Sequence, residues 1–127
     1  MNAEVPPAEL GKAVEEFDLT YLVTVGENSL PHVVAVEPVF HTQPPQTLRI
    51  AAPGRHTRRN LAVHPVVTLI FAARRPGDYS LIVDGRGELV DDQLAITPTR
   101  AILHRPAAPG HTPAAGECAN DCREIGL

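Results

Sequence analysis

A chain of 127 residues is one domain in length, enough to bury a core without disulfide or metal staples. Its 15 acidic residues outnumber 11 Lys and Arg, and the formal net charge of −4 argues against a general nucleic-acid binder. No apolar run approaches membrane-spanning length, and Met1 to Pro7 lacks the basic and apolar regions of a signal peptide, so the expectation is a cytoplasmic protein with no membrane partner.

Pro6-Pro7 precedes a segment in which Leu10, Ala13, Val14 and Phe17 recur at i, i+3, i+4 and i+7, one face of a short helix. Tyr21 to Val25 is a compact β-prone run, Gly26-Glu27-Asn28-Ser29 a turn cluster, and Pro31 to Phe40 a second run, which together read as a hairpin. Alternation in that second strand puts His32, Val34, Val36 and Pro38 on one face and Val33, Ala35, Glu37 and Val39 on the other. Glu37 stands among apolar neighbours, so it either faces water at a strand end or pairs with an arginine. Pro38 limits further pairing and implies a sheet edge or a bulge.

His41 to Thr47 is a proline-bearing loop and Leu48 to Ala52 a third strand, in which Ala51 and Ala52 leave room for something to approach the backbone. The strand ends at Pro53-Gly54, and Arg55, His56, Thr57, Arg58, Arg59 and Asn60 follow before His64-Pro65 stops the helix they begin. Ten of the eleven basic residues are arginines, with Lys12 the exception, and this is where they concentrate. A strand that delivers a turn into a helix start leaves backbone N–H groups unpaired, and guanidinium groups fork around phosphate oxygens, so the stretch reads as an anion site. The helix should run over roughly 57–63 with Thr57 as its cap.

Val66 to Ala72 is a continuous β-branched apolar run and predicts a central strand buried on both faces. Arg74 to Asp78 is a turn. Ser80 to Val90 is a long strand whose two glycines, Gly85 and Gly87, suggest a bulge or a barrel corner. Leu94 to Leu103 is strand-like and interrupted at Thr97-Pro98-Thr99. The order of helix, three strands, short helix and three strands favours a mainly β fold with short helices, an antiparallel barrel of six strands, over a doubly wound sheet. From Arg105 to Leu127, prolines and glycines punctuate a tail that cannot form a long element, giving a domain over 1–104 and a tail over 105–127.

Outside the arginine cluster the chemistry is sparse. His32, His41, His64 and His104 are scattered singly, which disfavours metal or haem ligation by any one of them. Cys118 and Cys122 have C-x3-C spacing, which on a helix places both sulfurs on one face, but the redox C-x-x-C spacing is missing and His111 would complete only three zinc ligands. No metal site is expected, and no general base is identified. Tyr79 could stack on a ring, although a half-buried strand tyrosine is the commoner case.

The ordered series Tyr21 to Val25 with Leu30 to Val33, Leu48 to Ala52, Gly54 to Leu61, His64 to Leu69 and Val83 to Leu89 resembles the FMN-binding split barrel of the pyridoxamine 5'-phosphate oxidase-like superfamily. The likeness covers about Thr20 to Leu103. It implies a six-stranded split β-barrel, a homodimer with cofactor sites at the subunit interface, and FMN or, alternatively, a deazaflavin coenzyme. Haem is a more distant alternative. Residues Arg55, His56, Thr57, Arg58, Arg59 and Asn60 would grip the cofactor phosphate, while Val36, Glu37 and Ala51 would lie along the ring. Many family members carry a lysine where this chain has Thr57. The chain also lacks tryptophan and the extended C-terminal segment of true pyridoxamine phosphate oxidases, so pyridoxamine phosphate is not the expected substrate.

Two functions follow from the resemblance. One is a flavin-dependent oxidoreductase acting on a small molecule, in which the cofactor carries the hydride chemistry and the protein binds and orients it. The other is a non-catalytic flavin- or haem-binding protein on the same fold, for storage or sensing. Nucleic-acid binding through the arginines is disfavoured by the acidic balance and the scarcity of aromatic residues.

Overall fold

A computed structural model describes residues 7–107 and 120–127. The chain runs α1 (Pro7–Glu15), β1 (Thr20–Val25), β2 (Pro31–Val36), β3 (Val39–His41), β4 (Thr47–Ala51), α2 (Arg55–Val63), β5 (Val66–Phe71), β6 (Ser80–Val90), β7 (Gln93–Arg105) and β8 (Asp121–Ile125). All strand pairs are antiparallel, in the order β2-β1-β5-β6-β7-β4-β3, with β8 added to the outer part of β7. The class is the expected one, mainly β with two short helices, but there are eight described strands instead of six.

The first additional strand comes from Pro38. The run from Pro31 to Phe40 is not one strand: β2 pairs with β1 and ends at Val36, while β3 pairs with β4. Proline has no N–H to give a ladder and fixes φ, so the chain leaves one end of the sheet at Glu37-Pro38 and re-enters it at the other. Glu37 is exposed there, the first of the two environments open to it.

The second additional strand lies in the tail. Residues 121–125 return to β7, and Ile125, 3% exposed, joins the core. Asp121 anchors this return: its Oδ2 accepts hydrogen bonds from Tyr79 Oη and Arg105 Nε, both at 2.8 Å, with the Arg105 guanidinium 4.3 Å from the Tyr79 ring centroid. The bond to the Asp121 carboxylate holds the Tyr79 hydroxyl above the usual tyrosine pKa. Cys122 sits on this strand and not on a helix, with its Sγ 3.4 Å from His104 Nδ1. Cys118 and His111 lie outside the described residues.

Alternation along β1, β5 and β6 sends Leu22, Val67, Leu69, Phe71, Leu81 and Val83 inward, and Leu10 of α1 closes one end of the core. Val14 of α1 packs on it, as the helical spacing predicts, and so does Phe17, which lies two residues beyond the end of the helix. β5 is central but not buried on both faces: Val66 is 56% exposed and the strand alternates, because a curled antiparallel sheet has one face inside.

The glycine signal in β6 marks a register shift between Asp84 and Gly85. A Cβ at Gly85 would lie 2.6 Å from the Thr97 carbonyl oxygen. The shift also explains why β7 is continuous through Thr97-Pro98-Thr99: Pro98 faces Gly85 at the irregularity, where a missing ladder donor is tolerated.

Candidate functional site

The turn between β4 and α2 is tightly shaped. Ala52 takes a left-handed φ of 44°, uncommon for a residue with a Cβ, and Pro53 is buried. Gly54 is the extended N-cap of α2, so the helix starts at Arg55, two residues before the expected position, and Thr57 is not its cap. The first intrahelical bond runs from the Arg58 N–H to the Gly54 carbonyl. No side chain caps this end and no acidic residue occupies the first turn, so its positive end is available to an anion.

The helix is held by residues whose sequence context suggested ligand contacts. Thr57 is 2% exposed. Asn60, 8% exposed, donates from Nδ2 to Thr24 Oγ1 at 3.0 Å, tying α2 to β1. Leu61 sits over Gly87, where a Cβ would come within 2.9 Å of the leucine side chain. Arg55, His56 and Arg59 are exposed, and Arg58 is directed to Pro53 and Asp92.

A cavity of 690 Å³ opens in front of the helix start. Leu19, Leu22, Val34, Val36 and Ile50 give it an apolar wall. Ala51 to Gly54, followed by Arg55, His56 and Thr57, complete the lining, with Glu37 and Asp18 also bordering it. Six of the nine residues singled out in the sequence, Val36, Glu37, Ala51, Arg55, His56 and Thr57, therefore meet at one cavity. Arg59 and Asn60 line an adjoining cavity of 410 Å³. His32 and His56 border both cavities, with ring centroids 5.4 Å apart and planes at 39°. The Nδ1 of His32 is occluded and has no hydrogen-bond partner among the described residues.

Sequence reasoning did not assign Leu22, His32, Val34, Ile50 or Asp18 to the site. The signal for two of them was present, since alternation in β2 puts His32 and Val34 on the same face as Val36. Among the described residues, no three His, Cys, Asp or Glu side chains are grouped to hold a metal ion, and no helix is long and apolar enough to cross a membrane.

This architecture can be set beside known proteins. The family described as pyridoxamine 5'-phosphate oxidase matches residues 7–110, which is most of the chain. The chain belongs to the pyridoxamine 5'-phosphate oxidase-like split-barrel family. Within curated proteins it is 39% identical over 126 residues to uncharacterised proteins of Mycobacterium bovis and Mycobacterium tuberculosis, covering 89% of each chain in both cases. Among solved structures, a Clostridium acetobutylicum protein related to general stress protein 26 shares the fold at a TM-score of 0.63, with 16% identity and 94% coverage of both chains. An F420 reductase aligns at a TM-score of 0.53 and 18% identity over 65% of this chain and 87% of its own. The haem storage protein HutZ of Vibrio cholerae aligns at 0.53 and 18% over 76% and 92%. At these identities the three structures share a fold with this member of the family and nothing finer.

Proposed function

We propose that this split barrel binds FMN, or alternatively a deazaflavin coenzyme, in the 690 Å³ cavity and serves as an oxidoreductase for a small molecule. The observation that carries the reading is the union, in one cavity, of an apolar wall and an uncapped, acid-free helix start. A flat ring system fits against Leu22, Val34, Val36 and Ile50, and a phosphate fits the N–H groups at Arg55 to Thr57. Arg55 and His56 stand beside that phosphate position, with Arg59 and Asn60 on its flank at the adjoining cavity. Thr57 takes the place where many family members carry lysine, so the phosphate grip relies on the arginines and the backbone. Bound there, the cofactor supplies the hydride chemistry, while the chain holds its phosphate, shields its ring and leaves one side open to a substrate.

In the same proposal the protein is a homodimer. Val33 and Val39 are 55% and 60% exposed, and Leu30 and Val66 are 62% and 56% exposed. Burial of these side chains against a second copy is what such a dimer would draw on.

A second reading, a non-catalytic haem or flavin carrier, draws on one observation: the paired rings of His32 and His56 at the cavity. Absorption and fluorescence titrations of the purified chain with FMN, deazaflavin coenzyme and haem test both. Micromolar FMN or deazaflavin binding, followed by transfer of hydride from a reduced nicotinamide or reduced deazaflavin to a dye in the presence of the loaded protein, supports the oxidoreductase. A Soret shift with haem, lost in His32→Ala, supports the carrier. Binding of none of the three at micromolar concentration sinks both readings.

A further inference from the structure

We infer that Arg58 and Asp92 form a latch that sets the shape of the turn 52–54, so that Arg58 serves the site as a positioning residue and not as a phosphate ligand. A left-handed alanine persists only where its surroundings dictate it. Three hydrogen bonds restrain it here. The Ala52 N–H donates to the Asp92 carbonyl at 2.9 Å, which ties the turn to the β6–β7 connection. Arg58 Nε donates to the Pro53 carbonyl at 2.8 Å, and the Nη2 of the same guanidinium donates to Asp92 Oδ1 at 2.6 Å.

One planar group thus bridges the turn that enters α2 and the hairpin that neighbours it. Two of the three guanidinium nitrogens, Nε and Nη2, are already engaged with protein oxygens, and a lysine at this position could not reproduce the fork. Beyond the latch, Asp91 itself has a φ of 55°, so strained backbone lies on both sides of the bridge. The Arg58 side chain is 37% exposed and that of Asp92 78% exposed, so the ion pair contributes little to global stability. Its effect falls on geometry: the direction in which Gly54 releases the helix, and with it the position of the Arg55 to Thr57 N–H groups.

The ligand readout rests on the flavin reading above, and a second readout does not. In the full chain, Arg58→Ala, Arg58→Lys and Asp92→Ala are each titrated with FMN and with riboflavin, which has the ring but no phosphate. A positioning role predicts that all three, Asp92→Ala included, weaken FMN on the order of tenfold, while riboflavin, which has no phosphate for the displaced N–H groups, changes little. It also predicts that lysine does not rescue and that Arg58→Ala with Asp92→Ala is no worse than either alone. Selective loss of FMN in Arg58→Ala, restored by Arg58→Lys and absent from Asp92→Ala, would overturn the inference.

Amide hydrogen exchange at Ala52, measured without ligand, is the independent arm. Exchange about tenfold faster in both Arg58→Ala and Asp92→Ala, at an unchanged melting temperature, supports the latch. Unchanged exchange in both overturns it. If the wild-type chain binds neither flavin, the cofactor reading fails by itself and the exchange result alone decides the latch.

Discussion

Truncating Asn60 to alanine separates a structural from a ligand-binding role at a position whose sequence context suggests phosphate contact. The side chain is 8% exposed and its Nδ2 lies 3.0 Å from Thr24 Oγ1, which belongs to a residue only 1% exposed. Removing the amide breaks a buried hydrogen bond, leaves the Thr24 hydroxyl without this partner, and opens a small void between α2 and β1. A loss of about 1–3 kcal/mol follows. With a urea dependence of about 1–3 kcal/mol per molar, the unfolding midpoint should fall by about 1 M, measured without any cofactor. A cycle with Thr24→Val sharpens the test. The two substitutions share one bond, so the double variant should lose less than the sum of the singles, with a coupling of about 0.5–3 kcal/mol. If the midpoint of Asn60→Ala does not move while flavin affinity drops, or if the two losses simply add, the anchoring role assigned to Asn60 is wrong.

Gly85→Ala forces a methyl against the Thr97 carbonyl, 2.6 Å away, and Ile96 Cγ2, 2.7 Å away. Its cost should be about 1–3 kcal/mol in chemical denaturation, because the nearest obstacle is backbone. Arg55→Ala should weaken FMN binding by about tenfold and leave riboflavin binding nearly unchanged. Ile125→Ala, at a site 3% exposed in β8, should cost about 2–5 kcal/mol; a negligible change in the melting curve would mean that β8 does not belong to the cooperative core. In a Tyr21→Phe background, absorbance titration should show Tyr79 ionising above the usual value of about 10, and Asp121→Asn should lower it. A raised folded-state pKa favours the protonated phenol, so this contribution to stability is complete below pH ~10 and disappears as pH rises through the folded value.

Much of the site was legible because it is local. The sequence from Ala51 to Asn60 carries its turn, its helix start and its charge in ten consecutive residues, and alternation in β2 aims Val36 and its neighbours at the cavity. The misread parts depend on residues distant in sequence. That Arg58 turns toward Pro53 and Asp92 follows from the placement of the β6–β7 hairpin, 34 residues later, which no local pattern encodes. The burial of Asn60 follows similarly from Thr24 on β1. Strand number was misjudged for two different reasons. Pro38 was recognised as incompatible with continued pairing, yet the following Val39 to His41 is too short to announce a strand without its partner β4. β8 follows a segment rich in proline and glycine, and its strand character arises from pairing with β7 and from the Asp121 anchor, which are tertiary facts.

The break at Glu37-Pro38 has a mechanical consequence. β2 and β3 occupy opposite ends of the strand order, joined by two residues of chain and by no ladder between them. The cavity is lined by residues from the strands at both ends of this order, Val34 to Glu37 after β1 and Ile50 to Gly54 beside β3. Moving the two ends apart therefore breaks no inter-strand hydrogen bond of the described sheet. It is resisted by the dihedrals of Glu37 and Pro38 and by the packing of Val34, Val36 and Phe40 on the core. A continuous ladder and a seam that no ladder crosses thus coexist in one small domain.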